Sequence, residues 1–453
     1  MIEYNHYRGS IYHCFESGGE VEPIYIEDGL MVVDVDSGKI VEVGAFNELF
    51  SKWPNANSSN HFKDSLIMPG FIDTHVHYPQ YKVIASYGTS LLDWLNKYTF
   101  IEEQKFCDEA YASTVADLFL DELIKNGTTT AMTFCTSYKQ SVDIFFTAAE
   151  KKNLRMIAGK VMMDRNAPEG LCDNSDDSYF DSKELIEKWH NKGRMSYAVT
   201  PRFAPTSSSE QLKQAAKLLD EYSDTNGNKG LLMQTHLNEN IDEIEWVKEL
   251  FPDSKNYFDV YDSFNLSGTN SVFGHCIYNT DEEYKRIADS GSKVSLCTRS
   301  NLFLGSGLFE VDKLEAFGID KNSAREFAGN HQIIALASDV GGGDSFSMFQ
   351  VMNEAYKICR LNDYNLDPVK AFYLTTLAAA KVLNMEDHIG NFDSNKEADF
   401  IVIDLKATEL IKNKLETSNN ISDILFNLMT LGDDRLIKEV YILGQNIYKK
   451  KEA

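Results

Sequence analysis

Eight short apolar runs, most of them separated by amphipathic stretches, constrain the fold of this chain more than any other feature. The amphipathic stretches include residues 110–126, 210–222 and 281–289. Alternating strands and helices form a parallel sheet, and eight such units are typical of a (β/α)₈ TIM-like barrel, an α/β fold. A doubly wound sheet is the alternative, but no glycine-rich fingerprint follows the first run. The runs span residues 66–77, 128–134, 155–163, 197–203, 230–237, 271–275, 293–297 and 332–339.

Both ends of the chain have a different pattern. Residues 24–44 alternate apolar and polar side chains, with turns predicted at Asp28-Gly29 and Ser37-Gly38, and residues 399–404 and 439–444 are also rich in β-formers. We therefore predict a small β-sandwich module built from both chain ends. The predicted boundaries are 1–66 for its first part, 67–388 for the barrel and 389–453 for its second part. An acidic, serine-rich stretch at 172–184 is predicted as a loop.

Composition excludes several classes of protein. Lys+Arg 44 against Asp+Glu 69 gives 44 − 69 = −25, which argues against a nucleic-acid or anionic-membrane partner. No apolar run reaches the length of a membrane-spanning helix, and the first 14 residues lack the apolar core of a secretory signal. The seven cysteines are scattered without a CxxC pair, so we expect no cysteine-based zinc site and a reducing, cytoplasmic setting.

Ionisable residues lie at the ends of several apolar runs. In a barrel these ends meet at the face that carries the active site, and residues i and i+2 of a strand point to the same side. Imidazole and carboxylate ligands suit zinc. A lone His-x-His motif is weak evidence for a metal, because structural histidines are common, but the full set strongly favours one. The set is His75 and His77 on the first run, His236 on the fifth, His275 on the sixth and Asp339 on the eighth.

Two further charged residues, Glu239 and Lys160, lie near the ends of the apolar runs or within them. Glu239 lies three residues beyond His236, where it can stand beside the metal and carry protons without being a ligand. Lys160 lies within the third run, at a position where a carboxylated lysine could bridge two metals. We interpret Lys160 as structural, because a one-metal ligand set is complete without it.

Several stretches resemble a known family. Residues 69–77, Pro-Gly-Phe-Ile-Asp-Thr-His-Val-His, resemble the signature of the amidohydrolase superfamily, and within it the chain is similar to the guanine deaminases. The resemblance covers almost the whole chain. It rests on residues 75–80, 91–100, 199–203, 234–239, 300–307, 338–343 and 431–435, and residues 389–392 and 396–400 resemble the family's return to its C-terminal β-module.

The resemblance implies a zinc-dependent hydrolysis of guanine to xanthine and ammonia, a step of purine catabolism, in a homodimer. One zinc per chain would be bound by His75, His77, His236 and Asp339. Glu239 would be the general acid and base, and His275 and Asp339 would act on the attacking water. The purine would be held by Gln80, Arg202 and Phe203, although Phe203 fits core packing equally well.

Alternatives remain at this stage. A related deaminase could act on another purine, a pterin, cytosine or a triazine, and a catalytically inactive relative could serve as a scaffold. Inactive relatives lose metal ligands, whereas every predicted ligand is present here. The chain departs from the family pattern at Thr298-Arg299, where a proline and an uncharged residue are usual. This departure predicts a looser loop, an extra positive charge near the site and an altered substrate preference.

Overall fold

The computed structural model describes residues 3–18, 20–58, 60–223, 230–318 and 334–451. The strands are β1 Tyr4–Ser17, β2 Glu20–Asp34, β3 Ile40–Ala45, β4 Asn60–Pro69, β5 Phe71–His77, β6 Thr128–Phe134, β7 Arg155–Gly159, β8 Val161–Met162, β9 Met195–Pro201, β10 Leu232–Leu237, β11 Ser271–His275, β12 Lys293–Leu296, β13 Ile334–Leu336, β14 Phe400–Asp404, β15 Ile437–Ile442 and β16 Gln445–Lys449. Two sheets contain all of them.

The helices follow most of the barrel strands. They are α1 Phe46–Leu49, α2 Leu91–Trp94, α3 Phe100–Glu103, α4 Glu109–Lys125, α5 Lys139–Lys151, α6 Ser175–Trp189, α7 Ser209–Glu221, α8 Ile241–Leu250, α9 Tyr257–Ser263, α10 Asp281–Ser290, α11 Thr298–Phe303, α12 Val311–Gly318, α13 Met348–Leu361, α14 Pro368–Leu374, α15 Leu377–Val382, α16 Glu409–Leu415 and α17 Ile421–Leu431. The three helices predicted from the sequence correspond to α4, α7 and α10. Within the described residues, none of the helices is long and apolar enough to span a bilayer.

The larger sheet is the predicted barrel. Its order is β13-β12-β11-β10-β9-β7-β6-β5, with β8 beside β9, and all of its pairings are parallel. Every residue of the eight main strands is buried, as expected for a parallel sheet covered by helices. Two backbone hydrogen bonds join the end of the first barrel strand to the segment that follows the last one, from Asp339 N to His75 O at 3.0 Å and from His77 N to Val340 O at 2.7 Å.

The smaller sheet is built from both ends of the chain. Its order is β16-β15-β14-β4-β1-β2-β3, and only the β1–β4 pair is parallel. The first apolar run is divided between the two sheets at Gly70, because β4 pairs with β14 of the module while β5 begins the barrel. The predicted barrel with a β-module from both chain ends is confirmed. The three segment boundaries stay predictions.

Local expectations failed at two places. Asp28-Gly29 is not a turn but lies inside β2, where Gly29 pairs with Gly9, and a Cβ at Gly29 would lie only 2.7 Å from Cδ1 of Ile11. Glycine is needed there for close approach rather than for a turn. Much of the acidic stretch at 172–184 is helical, because the Asn174 side chain caps α6 by accepting the N–H of Asp177. Acidic residues in a first turn also favour the helix through its dipole.

Candidate active site

The barrel brings the predicted metal ligands together at the C-terminal ends of its strands. His75 and His77 end β5, His236 lies one residue before the end of β10, and Asp339 follows β13 by three residues. The relative exposure of these four residues is 8% or less. Each of these four residues offers one potential ligand atom, and these four atoms all lie within 4.8 Å of one another.

The distances inside the cluster suit a single small cation. The Nε2 atoms of His75 and His77 are 3.3 Å apart, and they lie 3.4 Å and 3.2 Å from Oδ1 of Asp339. These polar atoms face one another in the interior with the geometry of a ligand set that surrounds one point. A four-residue set of three imidazoles and one carboxylate is chemically matched to zinc or a similar divalent ion.

Hydrogen bonds orient two of the imidazole rings. The Nδ1 atom of His236 lies 2.7 Å from the carbonyl oxygen of Arg202, and Nδ1 of His275 lies 2.8 Å from Oδ1 of Asn301. A carbonyl oxygen only accepts, so Nδ1 of His236 carries the proton and its Nε2 keeps a lone pair. In the same way, a proton on Nδ1 of His275 leaves a lone pair on its Nε2, which lies 3.5 Å from Glu239 and 3.6 Å from Asp339. Partners of this kind fix the tautomer of metal-binding histidines.

The charge state of the cluster also fits a cation. Burial lowers the pKa of His77 to about 3, and burial also lowers the pKa values of His75 and His236, so all three imidazoles are neutral near pH 7. Burial opposes ionisation of Asp339, but hydrogen bonds with His75 and His77 outweigh it and hold the pKa of Asp339 well below its usual range. Neutral imidazoles around an ionised carboxylate are the protonation states in which these groups bind a metal.

Glu239 lies beside the cluster, as predicted. It follows β10 and precedes α8, and its Oε1 accepts a hydrogen bond from the hydroxyl of Ser306 at 3.2 Å. Burial, with the nearby carboxylate of Asp339, raises the pKa of Glu239 to about 8. A carboxyl group whose pKa lies near neutrality is suited to both accepting and donating a proton.

The backbone of the site is unusual at two residues. His275 has φ +70° and Asp339 has φ +48°, in the left-handed region that residues other than glycine seldom adopt. Such conformations cost free energy and cluster at functional sites, where the surrounding structure imposes them. Here they direct two side chains of the cluster toward the same point.

The cluster opens onto a cavity. All three predicted purine-binding residues line it, and the ring of Phe203 lies edge-on to His236 with a centroid distance of 6.3 Å. Apolar side chains of the segment that begins with α2 cover part of it. The full lining is His77, Gln80, Leu91, Trp94, Leu95, Arg202, Phe203, His236, Glu239, His275, Leu304, Asp339 and Gly342.

Sequence reasoning missed several residues of this site. Glu103, at the end of α3, accepts hydrogen bonds from Arg202 and Gln80. Gly274 leaves room for the ring of His75. Trp94 and Asn301 lie in stretches that carry the family resemblance, but neither received a role. No local pattern singles out Glu103 or Gly274, because their partners lie far away in the sequence.

Lys160 is a fully buried residue between β7 and β8. Its ammonium group forms an ion pair with Asp173 and lies 3.4 Å from Oγ of Ser178. Carboxylation of Lys160 would break this ion pair and place a second negative charge beside the carboxylate of Asp173. This geometry agrees with the structural interpretation of Lys160.

Thr298 and Arg299, where the chain departs from the family pattern, both form tertiary contacts. The hydroxyl of Thr298 donates to the carbonyl of Val351 at 3.1 Å. Nε of Arg299 donates to Oδ1 of Asp344 at 2.5 Å, and its Nη1 lies 3.9 Å from Oε1 of Glu354. The structure therefore differs from the expected looser loop, because tertiary contacts replace the rigidity of proline, and the acidic side chains of Asp344 and Glu354 offset the extra positive charge of Arg299.

Comparison with known proteins identifies the family. The model of the amidohydrolase family matches residues 66–447. The chain belongs to the amidohydrolase family. This amidohydrolase is 45% identical over 426 residues to the guanine deaminase of Escherichia coli (strain K12). The aligned region covers 94% of this chain and 92% of the relative. The resemblance predicted from the sequence motifs is confirmed.

Solved structures agree with this assignment. The structure of E. coli guanine deaminase matches the amidohydrolase with a TM-score of 0.90 at 41% identity and covers 100% of both chains. Guanine deaminase from C. acetobutylicum, solved with bound guanine in the active site, matches with a TM-score of 0.84 at 30% identity and covers 98% of this chain and 100% of the other.

Proposed function

We propose that this chain hydrolyses guanine to xanthine and ammonia, with one zinc ion per chain. One observation carries the proposal: a single cavity is lined both by residues of the His/Asp cluster with Glu239 and by the three residues predicted to hold a purine. The similarity to guanine deaminases over nearly the full length supports it.

His75, His77, His236 and Asp339 would hold the zinc ion. Their fit rests on neutral imidazoles that converge on an ionised carboxylate and on the hydrogen bond that leaves Nε2 of His236 without a proton. Zinc bound there would supply the Lewis acidity that lowers the pKa of water toward ~7, so that hydroxide is available at neutral pH.

The side chains of the site would manage the protons. Glu239 accepts a proton from the attacking water and transfers it to N3 of guanine, which makes C2 more electrophilic. His275 and Asp339 orient the water toward C2. The C2–O bond forms as the C2–N3 double bond opens, the proton of the new C2 hydroxyl passes to the exocyclic nitrogen, and the C2–N bond breaks to release ammonia and leave xanthine. The raised pKa of Glu239 suits this shuttle, since one group both takes up and releases the proton.

The other lining residues would select and enclose the base. Arg202 offers donors to the O6 and N7 acceptors of guanine, and the amide of Gln80 can both donate and accept. Phe203 offers an aromatic face or edge to the ring. Leu91, Trp94 and Leu95 supply an apolar cover that keeps bulk water from the reacting atoms.

Ammonia release from guanine, adenine, cytosine and a pterin at matched concentrations tests the proposal. We expect guanine to react fastest, because adenine carries an amine where Arg202 would meet O6, and mismatched buried polar groups separate substrates by ~10⁴-fold or more. Faster turnover of cytosine or the pterin would mean that the purine pocket is wrongly assigned. No turnover in zinc-loaded protein would identify an inactive relative.

Elemental analysis and sedimentation test the remaining proposals. We expect one equivalent of zinc in active protein, whereas two equivalents would bring Lys160 back as a bridging ligand. We also propose a homodimer, which sedimentation velocity distinguishes from a monomer, and a cytoplasmic setting. All seven cysteines are unpaired, as a reducing environment requires.

A further inference from the structure

Glu103 is a buried acid that the proposed chemistry leaves without a role. Its side chain is 1% exposed, and it lies at the end of α3, behind the lining of the cavity. Nη1 of Arg202 donates to Oε1 and Oε2 of Glu103 at 2.9 Å and 3.0 Å. Nε2 of Gln80 donates to the same Oε1 at 3.2 Å. One carboxylate thus contacts two of the three residues proposed to hold the purine.

The first consequence concerns charge. The side chain of Arg202 is only 3% exposed, and a buried guanidinium without a counter-ion is strongly unfavourable. Glu103 balances the charge and takes up Nη1, whereas Nε and Nη2 of Arg202 donate to no acceptor among the described residues. The guanidinium carbon also lies 5.5 Å from the centroid of the Phe100 ring, which supports it from a second side.

The second consequence concerns the amide of Gln80. A carboxylate only accepts, so the group of Gln80 that faces Glu103 is the NH₂. The N–H of Gly341 only donates, and it lies 3.3 Å from Oε1 of Gln80. The two partners therefore select one orientation of the amide, with one N–H and one lone pair left for a ligand. Loss of Glu103 removes the partner that holds the NH₂ group.

We propose that Glu103 is a positioning residue that makes the pocket selective for neutral over anionic purines. The inference deepens the proposed function and rests on it. Guanine is neutral near pH 7, whereas xanthine, with a carbonyl in place of the amine, loses a proton more readily. An unpaired Arg202 would attract the xanthine anion, and the carboxylate of Glu103 opposes that attraction. The ion pair would thus favour binding of the substrate and release of the product.

The test is Glu103→Gln in the zinc-loaded protein. The KM for guanine is measured by steady-state kinetics, and the affinity for xanthine by calorimetry and by inhibition, both from pH 6.5 to 9. We expect the KM for guanine to rise about 10-fold or more, because hydrogen bonds to a charged group are lost, and kcat to change less. Binding of xanthine should tighten in the variant as pH rises, whereas in the unaltered protein it should not. Equal pH dependence in both proteins would overturn the proposal.

Glu102→Gln is the matched control. Glu102 is the adjacent residue, but its carboxylate contacts Lys105 and Tyr111 rather than the cavity. We expect this variant to keep the KM for guanine and the pH dependence of xanthine binding. If Glu102→Gln changes them as Glu103→Gln does, the effect is a general one of the helix and the proposal fails.

Glu103→Asp keeps the inference testable if the glutamine variant does not fold. It retains the negative charge but shortens the reach, so we expect a raised KM for guanine with the original pH dependence of xanthine binding. Tighter binding of the xanthine anion by Glu103→Asp would contradict the proposal. Failure of the proposed function is a separate result, namely binding of guanine by the unaltered protein without release of ammonia.

Discussion

Gly274 on β11 faces the imidazole ring of His75 on β5, and a methyl group at Gly274 would meet that ring. The Cβ would lie 2.6 Å from Cε1 and 2.8 Å from Nδ1 of His75. The ring cannot simply move aside, because its centroid lies 4.7 Å from the ring centroids of both Phe134 and His236. The glycine on one strand therefore sets the position of a proposed ligand on another.

Gly274→Ala should weaken metal binding. We expect an affinity loss of roughly 10–100-fold, the usual effect of disturbing the groups that orient a ligand. Competition with a chromogenic chelator measures it. Gly44→Ala is the control. Its Cβ would meet the side chain of Leu49 in the β-module, with Cδ1 nearest at 3.2 Å, and it should leave metal affinity unchanged. Normal affinity in Gly274→Ala would show that His75 tolerates displacement or is not a ligand.

Glu239→Gln should separate catalysis from binding. Glutamine keeps the size of the side chain and can still bond to Ser306, but it cannot shuttle a proton. We expect retained zinc, retained guanine affinity and a kcat lower by ~10²–10⁴-fold. Rate measurement combined with metal analysis checks this. Loss of zinc with full activity after zinc is resupplied would instead identify Glu239 as a ligand.

Arg202→Ala should reduce guanine turnover. The zinc should remain bound, because Nδ1 of His236 donates to the backbone carbonyl of residue 202, which the substitution does not remove. We expect kcat/KM for guanine to fall at least ~100-fold through lost charged hydrogen bonds. The change also leaves the Glu103 carboxylate buried without its positive partner, with only the amide of Gln80 as a donor, which should lower the free energy of unfolding by ~3–5 kcal/mol. In Arg202→Ala/Glu103→Gln, stability should recover but turnover should not. Recovery of both would refute direct contact between Arg202 and guanine.

Arg299→Ala tests the departure from the family pattern. Because Arg299 is paired with Asp344 and near Glu354, we expect the preference for guanine over adenine to be unchanged. The free energy of unfolding should fall by no more than ~1 kcal/mol, since the pair is partly exposed. Substrate competition and chemical denaturation measure the two quantities. A changed substrate preference would mean that the charge of Arg299 acts on the pocket.

An ion-pair cluster between the barrel and the segment before β14 predicts a pH effect on stability. The carboxylate of Glu397 accepts from Nε of Arg155 at 2.9 Å and from Nη2 of Arg194 at 2.6 Å. Burial opposes ionisation of Glu397, but the charge of Arg194 and the contacts with Arg155 outweigh it and lower its pKa. Stabilisation by Glu397 is therefore present above its unfolded pKa and is lost as pH falls through the lower folded pKa.

Glu397→Gln should accordingly lower the free energy of unfolding at pH 7 by about 3 kcal/mol. The difference from the unaltered protein should shrink below roughly pH 4, where the carboxylate takes up a proton in both states. The adjacent Asp399 has a pKa raised by burial and contributes with the opposite sign, so the comparison must be made between variants. Glu409→Gln is the control, because that side chain is 81% exposed. A constant difference down to pH 3 would contradict the assignment.

Local sequence patterns were enough to predict the barrel and the proposed metal ligands. Strand and helix patterns are local, and the C-terminal ends of parallel strands must meet at one face, so His75, His77, His236 and Asp339 are brought together by topology alone. Family motifs added Gln80, Arg202 and Phe203. For all of these, the information lies within a few residues of the position concerned.

The remaining features could be seen only in the folded chain, because each depends on two segments that are far apart in the sequence. Glu103 and Arg202 are separated by 99 residues and meet only when α3 packs against the end of β9. Gly274 matters only because the ring of His75 lies against its strand. Gly29 likewise lies in a strand rather than in a turn, and its missing side chain leaves room for Ile11 on the neighbouring strand. Arg299 is neutralised by Asp344, 45 residues away. Contacts of this kind follow from close packing of the folded chain, and no local periodicity encodes them.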